Sequence, residues 1–412
     1  MFLGQFMIWI NISNISKVNN FTGIARTEFE ICSYGLKLQQ QGHDVKFSTF
    51  DVCIGFVEVD HKEISSILNK FRSKSIQNKK GLKFVEKFKY KLVRSICKRL
   101  RVLKQNFGKI SHPYQQGDKV ISVGQDFYSG EIKVYHLLKQ KIKINFNLLC
   151  HDIIPITHPE FLPEQHSALF KIYFSEVIDV VDKFYCNSHF TKQELVKYLK
   201  EEQKSIPPIH VITLGCDLYK KETIRHSEFI DQLVKDKYLL FVSTIEIRKN
   251  HKVLYEAYLS LIEQGITNLP KIYFVGRRGW KVENLLKNLD SDHRIHNKII
   301  ILDHVSDGDL IQLYKKCWFT LYPSFIEGYG LPVAESLSFG KYCLSSNTGS
   351  LPEVGGNYID YLNPHNINEW CEKILFLINH PSYITEKEFN IQNNYRPMTW
   401  EKTAKQILDA EL

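Results

Sequence analysis

Eleven short apolar runs, rich in β-branched and aromatic residues, recur along the chain with helical patterns between them. They fall at 6–12, 45–50, 119–124, 143–150, 183–188, 210–214, 238–244, 271–276, 298–302, 318–323 and 341–346. Strands this uniformly hydrophobic are buried on both faces, and helices between them supply the cover. The pattern therefore predicts an α/β fold built on parallel sheets. Eleven strands are too many for one compact open sheet, and 412 residues exceed one ordinary core. The stretch 215–236 is polar and loosely patterned, which predicts a change of domain there. The expected layout is one α/β domain over 1–220, a second over 221–395, and a terminal helix within 396–412.

The bulk numbers agree with a soluble globular protein: 43% of residues are hydrophobic and 24% charged. No apolar run is long enough to span a bilayer. The opening "MFLGQFMIWINIS" lacks a basic front and a small-residue cleavage site, so it reads as a first buried strand rather than a signal peptide. Nine scattered cysteines include no CxxC pair, which favours reduced thiols in a cytoplasm over a disulfide framework or a zinc site. The net charge of +9 is concentrated. Residues 69–109 hold fifteen Lys or Arg against one acid, Glu86, so the rest of the chain is slightly acidic. Within that segment Val85, Phe88, Leu92, Ile96, Leu100, Leu103 and Phe107 recur at helical spacing. A basic amphipathic insertion of this kind suits an anionic membrane surface. A core-facing helix with a solvated positive back is the competing reading. Nucleic-acid binding has no stacking platform or groove-reading motif behind it.

In open parallel sheets ligands sit beyond the carboxyl ends of the strands, so the loops after strands carry the search for a site. The most informative is "PSFIEGYGLPVAESLSFG", 323–340. Pro332 suits a helix start and Gly340 a helix end. Glu327 then lies in the loop and Glu335 about one turn into the helix. Gly328 and Gly330 let backbone amides approach a ligand, and the helix N-terminus favours an anion. Two carboxylates flanking an anion site match a nucleotide-sugar, with ribose, diphosphate and hexose in line. The loop "TIEIRKNH", 244–251, adds a planar cation at Arg248 and a point charge at Lys249, both suited to phosphate oxygens.

The E-x7-E arrangement Glu327–Glu335 resembles the signature of the family 4 retaining glycosyltransferases of GT-B fold. "STIEIRKNH" is similar to that family's basic loop, and "VGRRGW", "VSDGDLIQLYKKC" and "SSNTGSLPEVGG" follow in its order. "TGIAR" and "HDIIPITHPE" resemble the branch that builds bacterial surface polysaccharides. The likeness is specific over about 238–356, weaker before 230, and absent over 60–115. It implies two Rossmann-like domains with parallel sheets facing across a cleft, the first binding the acceptor and the second the nucleotide-sugar, with the terminal helix packing back on the first. It also implies that Glu327 contacts the donor-sugar hydroxyls, Glu335 the ribose, and Arg248 with Lys249 the diphosphate. Gly328, Tyr329, Gly330 and Leu331 would supply backbone contacts, Thr244, Gly276 and Gly23 would line the donor cleft, and His151 would face the reacting centre. The family usually has Phe where this chain has Tyr329, and the added hydroxyl is expected to bear on sugar choice. The implied reaction is retaining transfer of a hexose from GDP-mannose, a UDP-sugar or dTDP-rhamnose, with no metal and no cofactor besides the co-substrate. The implied acceptor is a lipid-linked or polysaccharide glycan of O-antigen, capsule or exopolysaccharide, made by a cytoplasmic enzyme peripheral on the inner face of the plasma membrane.

Other readings stand beside these. His151 and Gly23 also fit a structural histidine and an ordinary turn glycine. Asn187 and Ser188 fit a helix cap, as do Asn250 and Asp307. The Asp-x-Asp at 290–292 follows a helical pattern rather than a strand, which argues against a metal site. A nucleotide-sugar epimerase of the same architecture is the alternative enzyme. A non-catalytic glycan- or nucleic-acid-binding protein is the alternative outside enzymology, although glycan binding alone needs no diphosphate clamp.

Overall fold

The structure, a computed structural model, describes residues 6–17, 22–76, 110–218 and 226–412. Its strands form two sheets. The first has seven strands in the order β3-β2-β1-β4-β5-β6-β7, with β1 Ile8–Asn11, β2 Val45–Asp51, β3 Gly55–Val59, β4 Lys119–Ser122, β5 Asn145–Cys150, β6 Lys183–Cys186 and β7 Ile209–Val211. The second has six in the order β10-β9-β8-β11-β12-β13, with β8 Tyr238–Val242, β9 Lys271–Val275, β10 Ile299–Leu302, β11 Phe319–Tyr322, β12 Cys343–Ser346 and β13 Asp360–Leu362. Every pairing is parallel except β2 with β3.

All eleven predicted strands are present. The two that the apolar pattern misses, β3 and β13, are sheet edges. An edge strand has a partner on one side only, so it can be short and half-exposed. β3 carries exposed Val57 and Glu58, and β13 is three half-buried residues.

In both sheets the strand order reverses beside the first strand, at β1/β4 and at β8/β11. The loops leaving these four strands are where a parallel sheet opens a crevice. Helices cover the faces, and Trp9, Tyr135, Phe146 and Phe184 lie in one core while Phe241, Tyr258, Phe274 and Trp370 lie in another. The last helix, Trp400–Leu408, packs with the first sheet: Thr403 donates to the Thr213 carbonyl at 2.7 Å, and Ala404, Ile407 and Leu408 share a core with Ile8 and Ile10. Beyond it, the buried Glu411 carboxylate accepts from Lys183 (2.5 Å), Tyr185 (2.6 Å) and Asn147 (3.1 Å).

Three expectations change. The Asp307 cap is Ser306 instead, in a capping box with Asp309. A serine hydroxyl can take the amide three residues on while Asp309 reaches back, and that reciprocity favours Ser306. Asn250 caps no helix with its side chain. Cys53 is disulfide-bonded, whereas Cys32, Cys150, Cys186, Cys216, Cys317, Cys343 and Cys371 are free and buried. Sequence spacing cannot see a pairing that the fold creates. The helix His61–Ile76 enters the basic stretch, but most of the expected amphipathic insertion at 69–109 lies outside the described residues. Among the described residues no helix is long and apolar enough to cross a membrane.

Candidate active site

The loops after β8 and β11 are stapled together. Asn250 has left-handed backbone (φ +57°), and its amide nitrogen donates to the carbonyls of Pro323 (3.2 Å) and Pro364 (2.8 Å). Its side chain therefore bridges loops rather than capping the helix His251–Glu263. The Phe325 amide donates to the Arg248 carbonyl at 2.9 Å. These bonds hold the Arg-Lys pair against the carboxylate loop.

Glu327 is buried there. Arg248 Nη1 donates to its Oε2 at 2.8 Å and to the Ile326 carbonyl at 2.8 Å. Lys249 Nζ donates to Glu327 Oε1 at 2.5 Å and to the Tyr322 hydroxyl at 3.0 Å, and Tyr322 in turn donates to Oε1 at 3.2 Å. Burial alone would raise the Glu327 carboxyl, but the Arg248 and Lys249 charges outweigh it and hold it at about 2. Burial lowers Lys249, with Arg248 adding to the effect. On its other side Arg248 meets Glu246, Nη2 to Oε1 3.0 Å, and burial raises that carboxyl.

The signature helix is Leu331–Ser338, with Pro332 in its first turn and Gly330 before it at φ +101°. A side chain at 330 would strike Leu351 as well as strain the backbone, which explains a glycine there. Glu335 is buried and accepts from the Tyr314 hydroxyl at 2.9 Å. Its charge also reaches Arg26 of the first helix, Gly23–Gln40. Thr244 and Gly276 lie in the adjoining loops after β8 and β9, where a Cβ on Gly276 would clash with the Ser243 carbonyl.

Residues of the first sheet close over this loop. A Cβ on Gly328 would lie 2.5 Å from the His151 carbonyl and 2.7 Å from Asp152 Cβ, and one on Gly23 would lie 3.2 Å from Leu331 Cδ1. Arg26 and Asp307 form a buried pair at 3.1 Å. Phe161 stacks on Phe325 with centroids 5.3 Å apart, and Trp280 Nε1 donates to the Phe161 carbonyl at 2.9 Å. His151 itself is buried, with Nε2 2.8 Å from the Val123 carbonyl. A carbonyl can only accept, so Nε2 carries the proton and Nδ1 a lone pair. Burial lowers this imidazole to about 4, leaving it uncharged at neutral pH.

Glu327, Arg248 and Lys249 are thus in direct contact, and Gly328 through Leu331 join them to His151 and Gly23. The Tyr329 hydroxyl departs from expectation: it donates to the Leu214 carbonyl at 3.0 Å, a bond to the first half of the chain rather than toward a sugar. Asp292 is held by Arg294 at 2.7 Å and by Tyr255 at 3.2 Å. No motif in the sequence points to Glu246, Tyr322 or Tyr314. Glu246 lies two residues before Arg248 in the loop already quoted, and an acid beside that cation was the available signal.

Residues 221–396 match the family model described as glycosyl transferases group 1. The match covers most of the chain beyond residue 220 and includes the Arg248–Lys249 loop and the Glu327–Glu335 stretch. The chain is 27% identical over 271 residues to the serotype-specific mannosyltransferase WbdA of Escherichia coli, covering 63% of this chain and 32% of WbdA, so the match spans about a third of that protein. It is 28% identical over 266 residues to O-antigen chain mannosyltransferase B of Escherichia coli, covering 63% and 68%. Two solved structures share the GT-B fold at 14% identity. One is HepE from Anabaena in complex with UDP-glucose (TM-score 0.64, 99% of each chain). The other is sucrose-phosphate synthase from Thermosynechococcus elongatus (TM-score 0.65, 99% of this chain and 98% of that one).

Proposed function

We propose that this protein is a retaining glycosyltransferase that moves a hexose, with mannose the leading candidate, from a nucleotide-sugar to a lipid-linked or polysaccharide acceptor in bacterial O-antigen or related glycan synthesis. The observation that carries the reading is the buried Glu327 carboxylate gripped by both Arg248 and Lys249 beside the helix Leu331–Ser338. The relatives' names favour mannose, and the UDP-glucose held by one structural neighbour favours a nucleotide-sugar donor.

The chemistry follows from charge. The acceptor hydroxyl attacks the anomeric carbon as its bond to the diphosphate oxygen breaks. The electron pair leaves with the diphosphate, and a phosphate oxygen takes the hydroxyl proton. Negative charge grows on the leaving group, and Arg248 and Lys249 are the cations that would meet it, together with amides of the Gly328–Leu331 turn. Before the donor arrives, Glu327 keeps both cations in place. Afterwards it shares them with phosphate and accepts from sugar hydroxyls. Neutral His151 offers its Nδ1 lone pair to a hydroxyl and adds no charge. Attack from the leaving-group face retains configuration.

Incubation with GDP-, UDP- and dTDP-sugars and a glycan acceptor tests the reading. A product whose new linkage keeps the donor's anomeric configuration supports it, whereas an inverted linkage or simple epimerisation contradicts it. The cation-rich sequence at 69–109 supports a position on the anionic inner face of the plasma membrane. Co-sedimentation with anionic vesicles checks this, and equal binding to neutral vesicles contradicts it.

A further inference from the structure

We infer that the donor-facing turn of the second sheet is completed by two hydroxyls of the first: Ser188 and Thr191 fix the orientation of the Gly328–Tyr329 peptide. This inference rests on the proposed transferase reading and adds two positioning residues to it.

β6 ends at Cys186, and Ser188 caps the helix His189–Glu201. The Ser188 hydroxyl donates to the Gly328 carbonyl at 2.7 Å, and the Thr191 hydroxyl donates to the same oxygen at 3.1 Å. All of these groups are buried. Capping explains only part of this. A cap needs an oxygen to accept the Thr191 amide, which Ser188 Oγ does at 3.0 Å with a lone pair. Its proton is left over, and it goes to Gly328. The Thr191 hydroxyl is not needed for the cap at all. A carbonyl oxygen has two lone pairs, and here each receives one hydroxyl.

A trans peptide is planar, with C=O and N–H on opposite sides. The chain has no cis bond among its described residues. Holding the Gly328 carbonyl toward the first sheet therefore turns the Tyr329 amide away from it. Among the described residues no acceptor takes that amide. The Tyr329 side chain donates to the Leu214 carbonyl, and nearby the Glu353 carboxylate accepts the amides of His189 and Phe190 at 2.9 and 3.3 Å, so further bonds join the two halves around the turn. An amide oriented in advance costs no reorganisation when an anion arrives. Donor affinity should then depend on residues of the first half that need not touch the donor.

The test uses the full chain. Thr191→Val removes a hydroxyl and spares the cap; Ser188→Ala removes the other, and Ser188→Thr restores it. Binding of GDP, UDP and dTDP is measured by calorimetry, with KM for donor and acceptor measured separately. The double variant Ser188→Ala with Thr191→Val is expected to weaken nucleoside-diphosphate binding and raise donor KM by about tenfold or more. Thr191→Val alone should show an intermediate effect, Ser188→Thr values near wild type, and acceptor KM should hold throughout. A lowered melting temperature with unchanged donor KM would mean that the two hydroxyls serve stability alone, and it overturns the inference while the transferase reading stands. Wild type that binds none of the three diphosphates and transfers no sugar overturns both.

Discussion

Glu327 is the side chain on which the contacts of the candidate site converge. Glu327→Gln removes the charge that both cations face, and leaves Arg248 and Lys249 buried without it. We expect kcat/KM to fall by about 10²–10³-fold, read in a steady-state transfer assay. The same residue predicts a pH dependence, and Glu28 predicts the opposite one. Glu28 is buried, with its oxygens accepting the amides of Asn14 and Ile15. Burial raises it from 4.5 to about 8. Across that window the folded chain holds a proton that the unfolded chain has lost, so the contribution of Glu28 is complete below it and is lost as pH rises through it. Glu327, held at about 2, stabilises above the ordinary carboxyl range and loses its effect as pH falls toward 2. Urea unfolding across pH should show both losses, and Glu28→Gln should flatten the one on the alkaline side. Tyr329→Phe should cost about 1 kcal/mol of stability through the lost Leu214 bond, leaving donor preference unchanged in a nucleotide-sugar panel. At this scale the sequence motif was informative: the meeting of Glu327 with Arg248 and Lys249 was readable because their types and order suit the proposed diphosphate clamp. Ser188, Thr191 and Tyr322 carry contacts up to 140 positions apart in the chain, and no local pattern encodes those.

Turns and strand ends decide how the candidate site is built. Gly330 stands at φ +101° with Leu351 where its side chain would be. Gly330→Ala should therefore destabilise by about 1–3 kcal/mol, measured as a shift in urea midpoint, and should weaken donor binding because the helix Leu331–Ser338 starts there. The central strands were legible because burial on both faces leaves an uninterrupted apolar run. β3 and β13 were not, since an edge needs no such run. The helix start at Leu331 was legible from Pro332, whereas the capping box at Ser306 was passed over for the neighbouring acid, which has the right chemistry one residue too late.

On the scale of the whole molecule, the chain's last residues tie back to its first sheet. Glu411 takes four groups from β4, β5 and β6: Lys119, Asn147, Lys183 and Tyr185. Glu411→Ala leaves them without their acceptor and should lower the unfolding free energy by about 1–3 kcal/mol, seen in chemical denaturation. Alternating strands and helices foretold the two sheets. The grip between the halves was not foretold, because it is made of single contacts such as Arg26–Asp307 and Phe161–Phe325. The proposed function requires that Arg248 and Lys249 hold a diphosphate. Calorimetric titration of the wild type and of Arg248→Ala and Lys249→Ala with GDP, UDP and dTDP decides it. One of the three should bind the wild type, and each substitution should weaken that binding by about tenfold or more; equal binding to wild type and both variants would contradict it.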